Sequence, residues 1–151
     1  MKHLILGAFL CSVAGLAQAR DAALLLGIEN YDDFGSVRDA GGVTQAADAL
    51  RTGGFVVQTA QNADGDTAYA LAAEFAREAS DARRLVVALT GRFATDGDRT
   101  WFLAQDAEDP GLFDIGRDAI SVETVIGLLA RVPGQYCRPR FKPILSTTMN
   151  S

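Results

Sequence analysis

Arg84-Leu-Val-Val-Ala-Leu-Thr-Gly-Arg-Phe-Ala-Thr-Asp-Gly-Asp-Arg-Thr-Trp-Phe-Leu-Ala-Gln-Asp-Ala107 is the stretch on which the reading of this chain turns. Leu85 to Leu89 is an unbroken apolar run of strand length, stopped by Thr90-Gly91. A polar turn follows at Asp96-Gly97-Asp98, and Trp101-Phe102-Leu103 is apolar again. The pattern predicts a buried strand, a crest and a return strand. Ligands of open α/β sheets bind at loops that leave the carboxyl ends of strands, so Gly91 to Thr95 is the first place to look for chemistry.

Upstream the same kind of run recurs. Ala22-Ala-Leu-Leu-Leu-Gly-Ile28 has the all-apolar character of a parallel strand covered on both faces. Val43, Ala46, Ala47 and Leu50 recur at helical spacing, predicting a helix from Val43 to Thr52 that Gly53-Gly54 stops. Phe55 to Thr59 is a second strand. Asn62-Ala63-Asp64-Gly65 is turn chemistry, and Asp66 is the expected N-cap of a helix from Thr67 to Ala79 with Ala68, Leu71, Ala72, Phe75 and Ala79 along one stripe. Two successive strand-helix-strand units call for right-handed parallel crossovers and a three-layer, doubly wound α/β domain with a mainly parallel sheet. Downstream, Ser121 caps a last helix in which Val122, Val125, Ile126 and Leu129 share a face.

The central stretch resembles the histidine-bearing segment of the caspase and metacaspase-like cysteine peptidases. That family has an apolar strand, Gly-His-Gly, a turn with Asp-Gly, an aromatic-led apolar run and Asp-Ala. Gly91, Asp96-Gly97, Trp101-Phe102-Leu103 and Asp106-Ala107 fall in the matching order, and Gly27-Ile28-Glu29-Asn30-Tyr31 resembles the end of the family's first strand. The resemblance implies a caspase-like fold and kinship with cysteine-type endopeptidases. Yet Arg92 stands where the family has its catalytic histidine, and Phe93 where it has the second glycine. The family's next element is a buried strand ending in the nucleophilic cysteine. Gln135 to Pro143, with two prolines and three positive charges, does not read as such a strand, so the domain is expected to be incomplete at its C-terminus.

Met1 to Ala19 reads as an export signal, with Lys2 and His3, an apolar run from Leu4 to Leu10, and Ala17-Gln18-Ala19 as a small-x-small cleavage site. The run is too short to span a bilayer. Cleavage after Ala19 predicts a periplasmic or secreted product with no membrane segment. The organisation expected is a signal over 1–19, an α/β domain over 20–134 and an atypical tail over 135–151.

From Arg20 to Gly134 there are 10 basic and 19 acidic residues, a net of −9, whereas the tail carries three basic residues and no acid. An acidic domain with no basic stripe excludes nucleic acid as a partner. A polypeptide partner is compatible. No cofactor or metal is expected: Gly27-Ile28-Glu29-Asn30 lacks the glycine pattern of a pyrophosphate loop, and Asp96, Asp98, Asp106 and Asp109 do not have calcium-loop spacing.

A caspase-type site needs a thiolate, a histidine and oxyanion donors. Once His3 leaves with the signal no histidine remains, and Arg92 stays protonated at any working pH. Cys137, the lone cysteine after cleavage, lies in Gln135-Tyr136-Cys137-Arg138-Pro139, which is comparable with the family's nucleophile pattern but follows a helix end and turn. The substrate-pocket pair of the metacaspases, Asn-Asp, falls on Gly41-Gly42. Arg38 and Asp39, just upstream, and Gly91 on the crest are the candidate substrate-binding residues; for Arg38 and Asp39 the competing role is plain surface charge. The expectation is therefore an exported caspase-like domain without catalysis that acts in binding or scaffolding. An active endopeptidase using Cys137 and an unrelated doubly wound domain for a small ligand are the alternatives.

Overall fold

The computed structural model describes residues 20–38, 40–108 and 119–132. The predicted signal, Asp39, Cys137 and the tail lie outside them. The fold begins with β1 (Asp21–Gly27), every residue of which is buried. It is the middle strand of a parallel three-stranded sheet, with β2 (Phe55–Gln61) on one side and β3 (Leu85–Thr90) on the other. Asp21 lies opposite Phe55, and Ala22 opposite Leu85.

Because side chains alternate along a strand, β1 feeds two cores. Ala23 and Leu25 meet Val43 and Ala47 of α1 (Val43–Thr52). Ala22, Leu24 and Leu26, with Ile28, meet Ala68, Phe75 and Ala79 of α2 (Gly65–Ala79). The two helices therefore cover opposite faces, and each buried leucine contributes about 2 kcal/mol. Gly27 interrupts the apolar run for a steric reason: a Cβ there would run into the carbonyl oxygen of Ala40 and lie 2.8 Å from Val43 Cγ2.

The helix from Val43 to Thr52 has the predicted bounds, but Ala46 is exposed. Val43, Ala47 and Leu50 define the contact line, and at 3.6 residues per turn Ala46 falls about 60° to one side of it. The second helix starts earlier than predicted. Asp64, not Asp66, is its N-cap and accepts a 2.8 Å bond from Thr67 N; the Thr67 side chain and then this backbone bond hold the Asp64 carboxyl below its ordinary range. Asp66 sits in the first turn, where the helix dipole favours a negative charge.

The return strand exists but does not rejoin the parallel sheet. Trp101 to Leu103 belong to β5 (Thr100–Leu103), which pairs antiparallel with β4 (Phe93–Thr95) and β6 (Ala119–Ser121) in a second sheet. Leu103 N donates to Arg92 O, fixing this sheet to the crest. Trp101 and Phe102 are core, as expected. From β6 the chain enters α3 (Val122–Leu129), where Ser121 Oγ accepts from Thr124 N at 3.2 Å. Val122 and Val125 are buried, but Ile126 is 41% exposed; Leu128 and Leu129 provide the remaining contacts with the core.

Candidate functional site

The crossovers through α1 and α2 leave the sheet on opposite faces, so the gap between the carboxyl ends of β1 and β3 is where a doubly wound sheet opens its crevice. Here the chain fills that gap itself. Ile28 N donates to Thr90 O at 2.8 Å, closing the base. Above it lies the ring of Tyr31, only 7% exposed. Its hydroxyl accepts a 2.6 Å bond from Arg92 N and donates to Leu103 O at 3.4 Å. Burial pushes the phenol pKa up, so the hydroxyl stays protonated and can serve both bonds.

Gly91 is dictated by this packing. A Cβ at that position would sit 2.5 Å from Tyr31 Oη and 3.0 Å from Phe102 Cε2. Gly91, expected to line a substrate pocket, lets the crest close on the tyrosine. Its glycine is legible in the sequence, but its reason is a contact across 60 residues.

Arg92 is half-buried and its side chain turns toward the loop after β1. Nε and Nη2 donate to the carbonyl oxygen of Gly35 at 3.2 and 2.9 Å. The guanidinium carbon lies 5.8 Å from the Tyr31 ring centre and 5.7 Å from that of Phe34, with the two rings edge to face at 6.1 Å. One cation thus joins a carbonyl and two aromatic faces, each interaction modest and all directed at residues 31 to 35.

The rest of that loop is tied down as well. Val37 N donates to Glu29 O at 2.7 Å, and Asp32 N to Gln105 O at 3.1 Å. Glu29 N and Asn30 N both donate to Asn62 Oδ1, at 2.8 and 3.0 Å, while Asn62 N donates to Gly27 O. Asn62 has φ of 51°, a left-handed geometry that asparagine tolerates better than most residues. The sequence places Tyr31 only in a motif resembling a strand end, and Asn62 only in a turn. Their roles depend on partners far along the chain that no local pattern reveals.

The acidic residues of the crest have structural work. Asp96 Oδ1 accepts from Asp98 N and Arg99 N inside the turn between β4 and β5, and these bonds hold its carboxyl below the ordinary range. Asp106 Oδ1 accepts from Gly65 N at 2.7 Å at the start of α2. Among the described residues no cluster of acidic, histidine or cysteine side chains could hold a metal ion. Arg38 is exposed on the loop, and the hydrogen bonds and ring contacts of the Arg92 guanidinium go to Gly35, Tyr31 and Phe34. Asp39 and Cys137 fall outside those residues. The described crest presents a shaped, hydrogen-bonded surface that carries no histidine or cysteine side chain.

No model of a known protein family matches this sequence, and no curated protein matches it.

Proposed function

We propose that this chain is an exported domain of caspase-like design, without peptidase activity, that binds a polypeptide partner through the loops at the carboxyl ends of its strands. The parallel sheet with helices on both faces supports the coarse part of this reading. The observation that carries the rest is the engagement of Arg92. At the position that the resemblance assigns to the proton-exchanging histidine, a permanently charged side chain is bound to Gly35 O and stacked on Tyr31 and Phe34. A crest built this way holds the loop over residues 29–37 in one shape, and a preformed loop lowers the ordering cost of binding.

Among the described residues no helix is long and apolar enough to cross a membrane. Export through a cleaved signal places the action of the domain in the periplasm or outside the cell. The test is photo-crosslinking in the exporting cell with a reactive side chain placed at Asp33, which is exposed on the loop. A specific adduct with a polypeptide that is lost on Arg92→Ala supports the proposal. Absence of any adduct, or adducts indifferent to Arg92, argues against binding at this crest.

A further inference from the structure

Asp21 is the only charged residue among those described that is buried. One carboxylate oxygen is well served: Oδ2 accepts from Arg84 Nε at 2.9 Å and Nη2 at 2.5 Å. The other, Oδ1, is buried and has no hydrogen-bond partner among the described residues. An unserved carboxylate oxygen out of reach of water is costly, and native proteins seldom leave one without a reason. The immediate neighbour supplies one. The residue before Asp21 is Arg20, and the expected signal cleavage falls between Ala19 and Arg20.

We propose that the α-ammonium group created at Arg20 by signal removal is the partner of Asp21 Oδ1, so that processing completes the ion cluster at the start of the central strand. The proposal rests on the reading of the chain as an exported, cleaved protein. Hydrolysis of the Ala19–Arg20 amide by a signal peptidase consumes one water, leaving a carboxylate on Ala19 and an amine on Arg20. That amine takes a proton from solvent near neutral pH. Before the cut the same nitrogen is an uncharged amide with a single hydrogen to donate; afterwards it is a cation with three, attached to the residue next to the carboxylate. The other charged groups at Asp21 are the guanidinium groups of Arg84 and Arg83, while β2 brings only Phe55 alongside, its ring 4.9 Å beneath the Arg84 guanidinium. The consequence is an order of events: the mature domain is more stable than the precursor, because the second oxygen of Asp21 gains its partner only after the leader is gone.

The experiment uses the chain produced with its own leader, exported, and purified from the periplasm. Intact mass identifies the terminus. A second form carries Gly-Ser inserted between Ala19 and Arg20, which moves the ammonium two residues away from the carboxylate. At pH 7 the form starting at Arg20 should have a folding equilibrium constant about tenfold higher than the Gly-Ser form in urea titrations. The gap should close as pH rises through the titration of the amine, and it should vanish when both forms carry Asp21→Asn. Should Asp21→Asn fail to fold, pH-dependent acylation of the terminal amine in the two aspartate forms gives a second readout. The amine at Arg20 should titrate above the ordinary range and that of the Gly-Ser form within it. A terminus at Arg20 with equal stabilities, or with equal amine titrations, overturns the pairing and leaves the export reading standing. A purified chain that retains Met1 to Ala19 overturns both.

Discussion

Replacing Gly91 by alanine tests directly whether the crevice between β1 and β3 is closed by Tyr31. The added methyl would lie 2.5 Å from Tyr31 Oη, 3.0 Å from Phe102 Cε2 and 3.3 Å from Ile28 Cβ. The hydroxyl is the atom forced to move, which removes the 2.6 Å bond from Arg92 N. Overpacking costs about 1–3 kcal/mol and the lost bond about 1 kcal/mol more, so Gly91→Ala should destabilise by about 2–4 kcal/mol. Tyr31→Phe alone leaves the Arg92 amide without its acceptor, at about 1–2 kcal/mol. In the double variant the hydroxyl that clashes is absent and its bond can be lost only once. The two effects should fall short of their sum by at least about 1 kcal/mol. Urea unfolding followed by the fluorescence of Trp101, the single tryptophan and a buried one, measures all four proteins. Additivity within about 0.5 kcal/mol would refute the packing described here.

Removing the cation of the crest by Arg92→Ala should cost about 1–2 kcal/mol, with loss of the Gly35 contacts and of both ring faces. Limited proteolysis should then cut within residues 32–37 at a higher rate while α2 stays protected; an unchanged digestion pattern would show that the guanidinium does not hold the loop. Arg92→Lys should recover little of the protection, because an ammonium cannot place two donors on one carbonyl while lying on two rings. At the other end of the sheet, the side-chain bond from Arg84 holds the Asp21 carboxyl below its ordinary value of 3.8. Stability from this pair is therefore complete above that pH and declines as pH falls through the lower folded-state pKa. Acid titration of folding should show this loss in the natural chain and not in Asp21→Asn, and identical acid limbs would contradict it.

Strand β1 and helix α1 were legible in the sequence because unbroken apolar runs and helical spacing are local signals; the helix bounds, Val43 and Thr52, agree with the reading. Ala46 and Ile126 show where such signals stop. Each lies on the flank of an apolar stripe, and only the width of the opposing surface decides that it stays exposed. The strand from Thr100 to Leu103 was readable as a strand but not as a member of a second sheet, since its partner β6 is a three-residue segment too short to carry a pattern. The crest was located by its Thr-Gly stop and its Asp-Gly turn. That Tyr31 fills the crevice and Asn62 ties the loop could not be read, because both depend on atoms brought together by the crossovers.

The absence of peptidase activity is tested most directly by assaying catalysis. Peptides with Asp, Arg or Lys before the scissile bond, incubated with the purified exported chain before and after alkylation of Cys137, should remain intact in both samples across pH 5–9. Cleavage that alkylation stops, and that Cys137→Ala abolishes, would contradict it, for it would mean that a thiol finds its proton carrier without any histidine.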